Sequence, residues 1–141
     1  MNSINTDDLK QELMDTPNLD EFLSENSENF NSDTAAELLN RLLAEKNISK
    51  AALAKQSGLS EVYLHQIFAG KRNPSRNRLI CLAYGIGATL DETNELLKLC
   101  GVAQLYSANR RDAIIIFGIV HGVSLFEIND KLFTEDEETL F

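Results

Sequence analysis

The sequence has no tryptophan and only two prolines, two cysteines and two histidines among 141 residues, and each scarcity narrows what the chain can be. Without tryptophan, the expected core is aliphatic. Cys81 and Cys100 each sit inside a helical pattern and form no CxxC or metal-ligand cluster with His65 or His121, so they read as reduced core thiols. Apolar runs such as Ala113 to Phe117 are far shorter than the ~20 residues a membrane-spanning helix needs. No basic leader followed by an apolar stretch opens the sequence. A cytoplasmic chain with no membrane partner is expected. Nucleophile elbows, phosphate-cradling glycine loops, HExxH pairs and paired-carboxylate frames are also missing. Neither catalysis nor a cofactor or metal is therefore expected. The acidic run Glu135 to Glu138 reads as a solvated, frayed tail.

What remains is ordinary globular material: 43% apolar and 25% charged residues, long enough to bury a core without disulfides or metals. The charge is unevenly placed. A net −9 argues against a nucleic-acid partner, because affinity for phosphates comes from Lys and Arg displacing counterions. Residues 1–33, however, carry one base against nine acids, net −8, and residues 80–141 carry four against ten, net −6. Between them, residues 34–79 carry eight bases (Arg41, Lys46, Lys50, Lys55, Lys71, Arg72, Arg76, Arg78) against three acids, net +5. Local charge is what a nearby phosphate feels, since salt screens beyond about 8–10 Å.

Helical signals run the length of the chain and predict an all-α protein. An acidic N-terminal arm and linker (1–32) holds two short patterns, Asp7 to Asp15 and Leu19 to Ser24, broken at Pro17 and followed by the polar stretch 26–32. A central domain (33–101) opens near Asp33 or Thr34, where Thr34 and Glu37 form a capping box, and its first helix runs to Lys46 with Leu38, Leu39, Leu42 and Leu43 on one face. Ser49 caps a helix over Lys50 to Ser57, Gly58 permits a turn, and Ser60 caps a helix over Glu61 to Ala69 that stops at Gly70. Ser75 opens the next, closed by Gly85 and Gly87. Thr89 and Glu92 box the fifth helix, to Leu99 or Cys100. The C-terminal extension (102–141) is a helical hairpin for packing or dimerisation: Ala108 to Val120, capped by Ser107 or Asn109 and ended at His121 and Gly122, then Ser124 to about Phe133. The β-branched run 113–117 has strand propensity, but helical neighbours and the lack of a partner strand favour helix. Its apolar residues spread around most of the helix, so one face needs cover from the domain or from a second chain.

The segment Ser49 to Phe68 carries the functional signal. Ala54 is small where two helices must cross closely, Gly58 supplies the left-handed turn, and Leu53, Leu59, Leu64 and Ile67 are the apolar knobs that fix the crossing. Two helices meeting this steeply leave the second standing out, free to lie in a major groove about 12 Å wide. These residues, with the trailing Gly70-Lys71-Arg72-Asn73-Pro74-Ser75, resemble the Cro and phage-repressor class of helix-turn-helix regulators, the XRE family. The likeness covers about residues 34–99.

The resemblance implies a five-helix, lambda-repressor-like DNA-binding domain that binds double-stranded DNA as a homodimer, most often to repress. It places Ser60, Glu61, Val62, Tyr63 and Gln66 on the reading face, with His65 at its edge. Gln66 suits an adenine edge, Glu61 a cytosine amino group and Val62 a thymine methyl. It assigns backbone contacts to Ser49, Lys50, Ser60, Lys71, Arg72, Asn73 and Arg76. Phe68 departs from the family, standing where many members carry glutamate, and reads as an extra apolar anchor. An aromatic at Tyr63 could instead pack on the preceding helix. The rival reading is an antitoxin-like module, whose flanks neutralise a regulatory protein partner while its DNA binding is autoregulatory. From the −8 beside the +5, the acidic arm is expected to compete with DNA for the basic island.

Overall fold

A computed structural model describes residues 6–26 and 34–141. Contacts gather the chain into two compact units, residues 1–32 and 33–141. Among the described residues nine helices form and no strand. Most of the expected polar stretch, residues 27–32, lies outside the described residues, as does Asp33.

In the first unit, α1 (Thr6–Asp15) and α2 (Leu19–Glu25) make a short hairpin. Asn18 caps α2 by accepting from Glu21 N–H (3.1 Å). Asn26 donates its Nδ2 to Glu12 Oε1 (2.8 Å) and to the Phe22 carbonyl (3.1 Å), pinning the end of α2 to α1.

The second unit holds α3 (Ala35–Lys46), α4 (Lys50–Ser57), α5 (Glu61–Phe68), α6 (Arg76–Ile86), α7 (Leu90–Leu99), α8 (Arg110–His121) and α9 (Leu125–Thr134). Each starts where a Ser, Thr or Asn side chain accepts a backbone N–H two or three residues inside the helix: Thr34, Ser49, Ser60, Ser75, Thr89, Asn109 and Ser124. Of the capping boxes expected at Thr34–Glu37, Thr89–Glu92 and Ser124–Glu127, Thr89 with Glu92 makes both reciprocal bonds among the described residues. The Thr89 N–H and the Lys46 ammonium (3.1 Å) hold the Glu92 carboxyl below its ordinary range. The run 113–117 is helical: the Asn109 cap starts the helix and its inner face packs on helices, with no strand edge to join.

α6 is the axis of the core. Seven of its eleven residues are buried, and Leu79, Ile80, Leu82 and Ile86 meet Leu39, Leu53, Leu64, Leu97 and Ile115 in one continuous cluster. The same cluster takes in Leu125, Ile128 and Leu132 of α9, and also Leu140. Cys81 lies in it, and burial pushes its thiol up to about 11, so it is inert at neutral pH.

Two expectations change. Gly87 alone closes α6, as a left-handed C-cap at φ 74°, whereas Gly85 is inside the helix and buried. A Cβ at Gly85 would stand 2.7 Å from Leu53 Cδ1 and 3.0 Å from Ser57 Cβ. At Gly85, therefore, α4 and α6 approach too closely to leave room for a side chain.

The acidic tail is anchored, not frayed: Arg110 pairs with Glu135 and Glu137, Arg111 Nε donates to the Glu138 carbonyl (2.7 Å), and Leu140 is buried. Two arginines opening α8 oppose the helix dipole; the acidic run supplies carboxylates to Arg110 and a backbone carbonyl to Arg111.

α8 ends at His121 and Gly122 as expected, with Gly122 the left-handed C-cap at φ 68°, and the His121 ring lies 4.2 Å from the Phe117 ring, centroid to centroid.

Candidate nucleic-acid interface

The turn between α4 and α5 is set by Gly58 at φ 74°, whose N–H reaches the Ala54 carbonyl (3.0 Å), and by buried Ser57, whose Oγ accepts from Leu59 N–H (3.3 Å). Leu64, Ile67 and Phe68 seat α5 in the core, so Phe68 is the apolar anchor its departure from the family suggested. Asn40 of α3 donates to the Phe68 carbonyl (3.3 Å), tying down the far end of α5, which stops at Phe68 with Ala69 as its cap.

What α5 leaves outside is one sector. Val62 is 70% exposed, Glu61 and His65 are exposed, and Gln66 is half-buried. Lys50, Val62, His65, Gln66 and Lys71 line one shallow groove of about 530 Å³. The Ser49 and Ser60 hydroxyls accept the Ala52 and Tyr63 N–H groups (both 3.1 Å), and each keeps its own O–H as a donor. Lys71, Arg72 and Asn73 are exposed in the loop after α5.

The structure sorts the eight bases of the central island. Arg41 pairs with Glu45 and Glu95, Lys46 with Glu92, and Arg76 with Asp112. Four of the five Arg76 N–H donors are committed: Nε donates to the Ala103 carbonyl (2.8 Å), Nη2 to the Gln104 carbonyl (3.2 Å), and Nη1 and Nη2 to the buried Asp112 carboxylate (3.2 and 3.0 Å). Asp112 also accepts the Tyr106 N–H (3.0 Å). The Arg76 guanidinium thus joins the start of α6 to the start of α8.

Lys50, Lys55, Lys71, Arg72 and Arg78 make no ion pair among the described residues. Three of these lie over aromatic rings bordering α5: Lys50 Nζ is 5.3 Å from the Phe68 centroid, and Arg72 and Arg78 Cζ are 5.5 and 4.6 Å from that of Tyr63. At 3.6 residues per turn, Phe68 and Tyr63 fall on opposite borders of the exposed sector. The outward face of α5 is therefore flanked by cations on both sides.

Arg78 is absent from the residues expected at the site. One local signal marks it. Among the described helices only α4 and α6 open without an acidic residue in the first turn, and they carry Lys50, Arg76 and Arg78 there instead. Cations in a first turn oppose the helix dipole, so they need an anion from elsewhere. Arg76 finds Asp112; Lys50 and Arg78 find none among the described residues.

Residues 39–92, from α3 into α7, match the family model described as helix-turn-helix. That stretch is a helix-turn-helix domain of the XRE type, and α3 to α7 carry its lambda-repressor-like arrangement. A DNA-binding transcriptional regulator is the class this domain defines. The chain matches no curated protein and no solved structure. No helix of the described residues is long and apolar enough to cross a membrane.

Proposed function

We propose that the protein is a sequence-specific repressor that lays α5 in the major groove of duplex DNA and acts by occupying an operator. The observation that carries this reading is the exposed sector of α5 bordered on both sides by cations that lack carboxylate partners among the described residues. Glu61, Val62, His65 and Gln66 face base edges. Lys50, Lys71, Arg72, Asn73 and the Ser49 and Ser60 hydroxyls hold phosphates, which fixes register without reading sequence. Arg76 has its donors committed within the fold and adds little to this set.

Selection of bound fragments from random duplex DNA by the purified protein tests the proposal. Enrichment of a defined motif is expected, with Gln66→Ala relaxing preference at one base pair by about 1–3 kcal/mol. No enrichment at any salt concentration contradicts it.

We also propose that the protein works as a homodimer, since twofold proteins read two half-sites about one helical turn apart. The exposed stripe of α8, with Phe117 56% and Val120 60% accessible, supports a partner there. The same stripe favours the second reading, an antitoxin whose partner is a different protein. A stoichiometric second protein co-purifying with the chain supports that reading, and a homodimer of the purified chain supports the first.

The acidic arm, in a stretch (residues 1–33) of net −8, competes with DNA for the basic island. Removing residues 1–30 is expected to tighten DNA binding at low salt, with the gain fading as salt screens it. Unchanged affinity rejects self-inhibition.

A further inference from the structure

Tyr63 carries two guanidinium groups on its ring, and how they are held decides what they can still do. Arg78, from the first turn of α6, lies 4.6 Å from the ring centroid, and Arg72, from the loop before it, 5.5 Å. Neither Arg72 nor Arg78 donates a side-chain hydrogen bond among the described residues, so a guanidinium stacked on the ring keeps its N–H edges open for bidentate contact with a phosphate. Arg76, between them in sequence, shows the opposite arrangement, with its N–H edge spent on Asp112 and two carbonyls. Arg72 and Arg78 are both exposed and without an ion pair among the described residues, while Tyr63 is half-buried and packed against the core. The ring is thus a support packed on the core, and the two cations beside it stand exposed.

We propose that Tyr63 is a positioning residue, whose ring holds Arg72 and Arg78 at one border of α5 so that both meet phosphates of one DNA strand, and that Arg78 belongs to the phosphate-binding set. This rests on the DNA reading of α5. It replaces the expectation that Tyr63 reaches a base. The Lys50–Phe68 contact does the same on the opposite border with a single cation.

The test compares Tyr63→Phe, Tyr63→Leu, Arg78→Ala and the double variant Tyr63→Leu/Arg78→Ala in the full chain. Each is titrated with selected duplex and with random-sequence duplex over a range of salt, below its own unfolding midpoint. Tyr63→Phe keeps the ring and should bind within about twofold of the parent. Tyr63→Leu should weaken both duplexes by the same factor, about threefold to tenfold, as for losing one or two cation–π contacts, with preferred bases unchanged. Arg78→Ala, an exposed change that leaves folding intact, should flatten the salt slope by about one unit. The effect of Tyr63→Leu should shrink in its presence.

A Tyr63→Phe loss as large as that of Tyr63→Leu, a change of preference at one base pair, or an unchanged salt slope in Arg78→Ala overturns the proposal. Failure of the parent protein to bind any duplex overturns the DNA reading itself.

Discussion

Replacing Lys50, Lys71, Arg72 and Arg78 together with alanine is expected to reduce duplex affinity on the order of a thousandfold at moderate salt, taking roughly 1 kcal/mol for each charge-assisted phosphate contact. The dependence of log affinity on log salt should flatten by about four units. The effect follows from position, not from net charge. Arg41 and Lys46 belong to the same +5 segment, yet each pairs with the protein's own carboxylates. Arg41→Ala with Lys46→Ala should therefore change the slope by less than about half a unit per charge. Salt titrations of the two variants separate the alternatives. An equal loss per charge in both would mean that overall potential drives binding and that the sorting of cations is irrelevant.

The second large effect is on folding. Gly85→Val should destabilise the 33–141 unit by about 3 kcal/mol, at the upper end of what overpacking costs, and lower its melting temperature by roughly 10–20 °C. Leu53 is fully buried in the core cluster, and the Ser57 backbone N is 3.2 Å from the new Cβ position. The strain falls on the α4–α6 contact that sets the angle at which α5 is presented. Gly85→Ala should cost less than half as much. Thermal unfolding of both variants checks the packing, and a valine tolerated within about 0.5 kcal/mol would mean that α4 and α6 do not approach as described.

Local chemistry accounts for what the sequence made legible. Ser49, Ser60, Ser75, Thr89 and Ser124 cap helices through bonds spanning three residues, so a short window contains both partners. Gly58 and Gly122 end helices by a backbone conformation that also needs only the local chain. The same reasoning brought Lys50, Val62, His65, Gln66 and Lys71 to one groove, because helical period and the α4–α5 turn suffice to place them.

What was hidden depends on distant partners. Arg76 reads like its neighbour Arg72 until Asp112, thirty-six residues on, is seen to engage it. The acidic tail reads as solvated until Arg110 and Arg111 are found beside it, twenty-five to twenty-eight residues away. Gly85 looks like a stop signal because two glycines at i and i+2 usually end a helix; only the neighbouring Leu53 and Ser57 show that a side chain would not fit. Arg78 was visible as a charge but not as part of the site, since its link to Tyr63 is a tertiary contact between α6 and α5.

The central claim is that the outward face of α5 enters a groove of duplex DNA. Backbone amide chemical shifts of the full chain, followed while a selected duplex is added, test it most directly. The account predicts shifts concentrated at Ser49 and Lys50, from Ser60 through Gln66, at Lys71 to Asn73 and at Arg78, with Arg41 to Lys46 unmoved. Shifts confined to α8 and α9, with α5 silent while the DNA is bound, would contradict it.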